Sequence, residues 1–178
     1  MRGLRAAAAV AVLALLGLLV WDVAHSHGGK VARDIDKGEI VKAPTFSLPL
    51  VTGNGKLSLA SLRGKVVVLN FWASDCVPCM QEQGELNRIA AKWAPKGVVF
   101  LGIDEIEVRS FAKKYLARYK VPYRSVADGD GAIAGAYGVT GTPETFFIDR
   151  AGNAVPPHII AQAGLGALED GIQRALKA

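Results

Sequence analysis

The 178-residue chain has only two cysteines, and its net charge of +5 is scattered along its length. Two cysteines cannot staple a disulfide-stabilised miniprotein, and they are too few for a closed cysteine-rich zinc site. A weak, scattered positive charge lacks the basic footprint of a nucleic-acid-binding protein. Intrinsic disorder is excluded because 51% of the residues are hydrophobic and can bury a core. The length fits one ordinary globular domain.

The N-terminus carries a membrane signal. Arg2 and Arg5 precede an uncharged apolar run at residues 6–21. At helical rise this run extends about 24 Å, slightly short of a hydrocarbon core of ~30 Å. A cleaved signal peptide has the same basic and apolar regions, but the following residues offer no Ala-x-Ala cleavage site. We therefore predict a retained single-pass anchor over residues 1–24, which sends the domain to the periplasmic or extracytoplasmic side of the cell membrane.

Residues 25–42 are mixed in charge and show no apolar period, which predicts a flexible linker. A single domain is expected over residues 43–178, with strands alternating with helices. Hairpins are predicted over 46–59 and 145–161, strands over 66–72, 98–103 and 124–127, and helices over 76–94, 108–119, 131–137 and 165–176. This order predicts an α/β fold with a mixed central sheet flanked by helices. Pro156 and Pro157 require an edge position or a bulge.

Helical spacing also predicts which residues of the helix over 108–119 face the core. They are Val108, Phe111, Ala112, Tyr115, Leu116 and Tyr119.

Both cysteines lie in the motif Cys76-Val77-Pro78-Cys79, where a buried strand turns into a helix. A cysteine at a helix start faces unpaired N–H groups and the positive end of the helix dipole, which stabilise a thiolate. Cys79 follows one turn later on the same face, within disulfide reach. The motif therefore predicts a redox-active dithiol in which Cys76 attacks and Cys79 resolves.

The stretch Asn70-Phe71-Trp72-Ala73 before this motif resembles the active-site strand of thioredoxin-fold proteins, and within them the membrane-anchored TlpA/ResA/CcmG (DsbE) group. Further segments resemble the same group: Phe46-Ser47-Leu48, residues 61–65, the insertion over 103–138, and Gly141-Thr142-Pro143-Glu144-Thr145-Phe146. The resemblance implies a thioredoxin-like fold with an N-terminal β-hairpin and a central αβ insertion. It also implies a cis peptide bond before Pro143.

Three further site residues come from the resemblance. Glu82 matches a glutamate of the group and is expected to act as base for the resolving thiol, unless it is an ordinary solvated helix residue. Pro143 and Glu144 are expected at the site, with solvent exposure as the alternative for Glu144. Asp75 departs from the group, which usually has Trp there, and its carboxylate opposes a thiolate on Cys76.

The resemblance implies a thiol–disulfide oxidoreductase that reduces client proteins without a cofactor or metal. The expected clients are apocytochrome c or its thiol chaperone in cytochrome c maturation, or copper-site assembly proteins. A membrane thiol transporter would supply electrons, and no nucleic acid partner is expected.

Two other functions stay open. A Sco-like copper chaperone would use Cys76, Cys79 and His158, although its cysteines are spaced one residue further apart and His158 is expected at the surface. A peroxiredoxin-like peroxidase would need Pro and Thr where this chain has Leu69 and Ala73.

Overall fold

The structure is a computed structural model that describes residues 15–17 and 29–178. Most of the predicted anchor lies outside these residues, so the anchor stays a prediction. Within the described ranges, no helix is both long and apolar enough to cross a membrane.

The described chain alternates strands and helices as the sequence predicts. The strands are β1 (Val41–Lys42), β2 (Ser47–Pro49), β3 (Lys56–Ser58), β4 (Val66–Trp72), β5 (Val98–Glu105), β6 (Arg124–Asp128), β7 (Glu144–Ile148) and β8 (Asn153–Ile160). The helices are α1 (Lys30–Asp36), α2 (Val77–Trp93), α3 (Arg109–Arg118), α4 (Ala132–Tyr137) and α5 (Leu165–Lys177). Short 3₁₀ turns at Leu59–Leu62 and Ala94–Lys96 complete the set.

Six strands form one mixed sheet in the order β1-β8-β7-β4-β5-β6. Strands β4, β5 and β6 are parallel, whereas β7 pairs antiparallel with both β4 and β8. The predicted N-terminal hairpin is the separate pair β2 and β3. The predicted α/β class, mixed sheet and hairpin are therefore confirmed.

The central strand β4 is buried along its whole length because helices cover both faces of the sheet. Its side chains alternate between the two faces, as the two-residue period of a strand requires. Val66 and Val68 join a core formed with α2 and α5, whereas Val67, Leu69 and Phe71 join a core formed with α1 and α4. The cysteine motif lies just beyond the carboxyl end of this buried strand.

The predicted linker over residues 25–42 is wrong from residue 30 onward. Residues 30–36 form α1, which buries Val31, Ala32 and Ile35, and β1 pairs antiparallel with β8. Three apolar residues in one short helix give too little periodicity to recognise in the sequence. Their partner strand is distant in the chain, so the packing could not be anticipated from local pattern.

The predicted apolar face of α3 is only partly correct. Ala112, Tyr115 and Leu116 are buried, but Val108 and Phe111 are 64% and 53% exposed. Only the turn of α3 that carries these three buried residues contacts the core. Val108 and Phe111, which precede that turn, border an open cleft beside the cysteine motif.

The two prolines of β8 lie beyond its two-residue pairing with β1, as an edge position requires. The register between β7 and β8 also shifts between Thr145 and Phe147.

Candidate active site

The first cysteine caps the helix that follows β4. Cys76 is the N-cap residue of α2, in an extended conformation, and its Sγ accepts the backbone N–H of Cys79 at 3.1 Å. Pro78 lies in the first turn, where its missing N–H costs no helical hydrogen bond. Cys76 is half-buried and forms a disulfide with Cys79, with a Cα–Cα distance of 5.2 Å. The structure therefore represents the oxidised state of the dithiol.

The second cysteine is enclosed. Cys79 is 1% exposed and packs with Trp72 and Tyr115. The Tyr115 hydroxyl donates to the Cys79 carbonyl at 3.0 Å, and its ring stacks on Trp72. Sequence periodicity predicts that Tyr115 is buried but carries no signal for this contact. The difference in burial leaves Cys76 as the sulfur that a partner reaches first.

Glu82 lies one turn after Cys79 on α2 and is fully buried. Its Oε1 accepts from the Asn70 side chain at 3.0 Å, and its Oε2 accepts from the Ala163 N–H at 2.7 Å. Burial raises the pKa of Glu82, against the opposing effect of these two hydrogen bonds. The alternative of a solvated helix residue is therefore wrong: Glu82 is a buried carboxyl group with a raised pKa, one helical turn after Cys79.

The Thr142–Pro143 peptide bond is cis, as expected, and Glu144 behind it is 1% exposed. Glu144 Oε1 accepts from the Thr140 N–H at 2.8 Å, the Thr140 hydroxyl at 2.7 Å and the Gly141 N–H at 3.2 Å. The solvent-facing alternative for Glu144 is wrong. Its carboxylate instead ties down the loop over 140–143.

His158 lies inside the protein, contrary to the expected surface position. Its side chain is 2% exposed, its Nε2 lies 2.8 Å from Glu144 Oε2, and its Nδ1 lies 3.3 Å from Asp36 Oδ1. Both ring nitrogens thus face carboxylate oxygens. In the part of the chain that the structure describes, no group of three His, Cys, Asp or Glu residues is arranged to hold a metal ion.

The loop before Cys76 is held by a carboxylate that the sequence did not single out. Glu107 Oε1 accepts from the Ser74 N–H at 3.0 Å, and its other oxygen accepts from the Ser74 hydroxyl. Asp104 lies behind this contact, 1% exposed. Burial raises the pKa of Asp104, and its hydrogen bond with Glu107 and the charges of Glu107 and Glu105 raise it further. The buried Asp104 and the half-buried Glu107 thus place two carboxyl groups beneath the loop that precedes Cys76.

Glu105 ends β5 opposite Asp128 of β6. Burial, followed by the charges of Asp128 and Glu144, raises the pKa of Glu105 to about 7. The exposed Asp75 adds a further carboxylate at the mouth of the site. The surroundings of the dithiol are therefore rich in carboxyl groups, although the chain as a whole carries a net positive charge.

A disulfide at the start of the helix that follows the central strand, with a cis-proline loop at the same end of the sheet, defines a thioredoxin-like thiol–disulfide oxidoreductase. Residues 41–155 match the model of the AhpC/TSA family, and the chain belongs to this family. It is 43% identical over 110 residues to the thiol:disulfide interchange protein DsbE of Pseudomonas fluorescens, an alignment that spans 61% of this chain and 60% of that protein.

Two further comparisons agree. The chain is 35% identical over 123 residues to the thiol-disulfide oxidoreductase ResA of Bacillus thuringiensis, covering 68% of this chain and 70% of that protein. The crystal structure of a DsbE-like protein from Chlorobium tepidum superposes with a TM-score of 0.71 at 34% identity, covering 77% of this chain and 96% of the other. The resemblance to the DsbE and ResA group is confirmed.

Proposed function

We propose that this chain is a membrane-anchored reductase of protein disulfides on the extracytoplasmic side, acting in cytochrome c maturation. One observation carries the chemistry: a half-buried Cys76 is bonded to a buried Cys79, with a buried carboxyl one turn further along the helix. The cellular role rests on the similarity to the DsbE and ResA group, and the location rests on the apolar run at residues 6–21.

The proposed reaction begins with the reduced dithiol. The Cys76 thiolate attacks one sulfur of the client disulfide, so a mixed disulfide forms and the other client sulfur leaves as a thiolate. Glu82 takes the proton of the Cys79 thiol, and the Cys79 sulfur then attacks Cys76. The client is released with two additional electrons, and the enzyme is left in the oxidised state seen in the structure.

A membrane thiol transporter would return the two electrons, because a dithiol in an oxidising compartment is not re-reduced by a glutathione pool. The client class proposed is apocytochrome c, whose haem-binding cysteines must be reduced before haem attaches, or the thiol chaperone that carries it.

The experiment that tests this role is the reaction of the reduced full-length protein with an oxidised Cys-x-x-Cys-His peptide. We expect transfer of both electrons, with the enzyme ending as the Cys76–Cys79 disulfide. If the protein reduced small-molecule disulfides but left this peptide oxidised, the proposed client class would be contradicted.

The proton-transfer role of Glu82 has its own test. Glu82→Gln should leave formation of the mixed disulfide unchanged and slow its resolution by about 10²-fold or more, the usual contribution of a general base. Glu85→Gln, on the same helix but half-exposed, is the matched control and should resolve at the wild-type rate. Equal resolution rates for Glu82→Gln and the wild type would remove Glu82 from the reaction.

A further inference from the structure

The side chain of His158 is buried, although the residues on either side of it in β8 are partly exposed. Its ring stacks on Phe146 with a centroid distance of 4.3 Å and an angle of 20°. A buried polar ring is costly unless its nitrogens are paired. Both are: one lies against Glu144 and the other against Asp36 of α1. The fold thus places His158 Nε2 against the carboxylate of Glu144, the residue that follows the cis-proline.

Glu144 connects this ring to the loop over 140–143. In the tautomer that carries its proton on Nε2, His158 donates to Oε2, while the backbone N–H groups of Thr140 and Gly141 donate to Oε1. Such charge-assisted bonds are short and directional. Without His158, Oε2 of this 1% exposed carboxylate loses its partner, and Glu144 is held only through the hydrogen bonds to its Oε1, so the carboxylate and the loop are less firmly fixed.

The loop lies at the end of the sheet where the dithiol lies. Glu144 pairs with Phe71 in the antiparallel β4–β7 register, so residues 140–143 project past the same end of β4 as Cys76. Thr140 and Gly141 are exposed there. An extended client segment that brings a disulfide to Cys76 passes over this backbone, where main-chain contacts can align it.

We propose that His158 is a positioning residue of the thiol–disulfide reaction, which fixes the cis-proline loop through Glu144 and thereby aligns peptide clients at Cys76. Its contribution concerns extended substrates only. A small disulfide reaches the sulfur without contacting the loop. The proposal rests on Cys76 being the attacking thiol, which trapping of the mixed disulfide in Cys79→Ser tests separately.

Two substitutions distinguish the stacking of the His158 ring on Phe146 from its hydrogen bond to Glu144. His158→Phe keeps a ring to stack on Phe146 but removes the donor to Glu144. His158→Gln loses the stack but keeps an amide donor near the position of Nε2. The reduced full-length proteins are reacted with an oxidised Cys-x-x-Cys-His peptide and, in parallel, with dithiobisnitrobenzoate.

For His158→Phe we expect the second-order rate constant with the peptide to fall about ten-fold, the value of one lost hydrogen bond to a charged group. The rate with dithiobisnitrobenzoate should remain at the wild-type value, and His158→Gln should retain most of the peptide rate. Hydrogen exchange gives a readout independent of activity: the Thr140 and Gly141 amides should exchange faster in His158→Phe only.

Several results would overturn the proposal. A peptide rate unchanged in His158→Phe would show that the loop needs no such support. An equal loss with both disulfides would indicate general damage, and a His158→Gln variant as slow as His158→Phe would assign the effect to the stack. Unchanged exchange of the two loop amides in His158→Phe would contradict the proposed path through Glu144.

Discussion

Glu105 makes the stability of the protein depend on pH. Its pKa is raised from 4.5 to about 7, first by burial and then by Asp128 and Glu144. The folded protein therefore holds this proton at pH values where the unfolded chain has released it. The stabilising contribution is fully present below about pH 4.5 and is lost as the pH rises through 7. At pH 8 the folded state carries an unfavourable charge.

Glu105→Gln removes this charge and should make the protein more stable at pH 8 than the wild type. At about 1.4 kcal/mol per pH unit, the raised pKa bounds the gain at roughly 3 kcal/mol. Glu105 is half-buried, so solvent screening reduces the expected gain to about 1–2 kcal/mol. Near pH 4.5 both side chains are largely neutral, and the two proteins should differ little.

Urea unfolding of the oxidised full-length protein at pH 4.5, 6 and 8 measures this difference, with the pH values chosen around the shift. Glu39→Gln is the matched control, since Glu39 is exposed and a surface substitution changes stability by less than about 0.5 kcal/mol. A Glu105→Gln protein that is no more stable than the wild type at pH 8 would refute the reasoning. So would a difference of equal size at every pH.

Two further substitutions test the site and the core. Asp75→Trp removes an exposed carboxylate from the residue next to Cys76, which should lower the pKa of the Cys76 thiol. Alkylation of reduced Cys76 at pH 7 should then accelerate by up to about ten-fold, and the reduction potential should rise. Slower alkylation would contradict this electrostatic effect, and Asp75→Asn controls for the added indole ring. Gly171→Ala places a methyl group against the Phe147 ring and should lower the free energy of unfolding by about 1–3 kcal/mol. Gly166→Ala is the control in the same helix, because a methyl group there meets nothing within 4 Å. If both substitutions changed the free energy of unfolding in denaturant by the same amount, the packing of α5 on β7 would be contradicted.

Strong local patterns made most of the fold predictable. The apolar run over 66–72 identified β4 because a strand covered on both faces needs no polar positions. The spacing of Leu86, Ile89 and Trp93 identified the buried face of α2. The cysteine motif was recognisable for a similar reason, since its chemistry depends on two residues one helical turn apart.

Contacts between distant parts of the chain were not predictable. The helix α1 is recognisable only with β8 in place to cover its three apolar residues. His158 looked like a surface residue because its partners, Glu144 and Asp36, lie on other elements. Glu107 gave no signal because its contact with Ser74 joins two loops. Polar networks of this kind depend on tertiary geometry, which residue spacing does not encode.

The most direct test of the central claim is to trap the reaction intermediate with Cys79→Ser in the full-length protein. If Cys76 attacks and Cys79 resolves, this variant should accumulate a stable mixed disulfide, and peptide mapping should place the client sulfur on Cys76. The Cys76→Ser protein is the matched control and should capture no client. Accumulation of client on Cys79 in that control, with none on Cys76 in the first variant, would contradict the account.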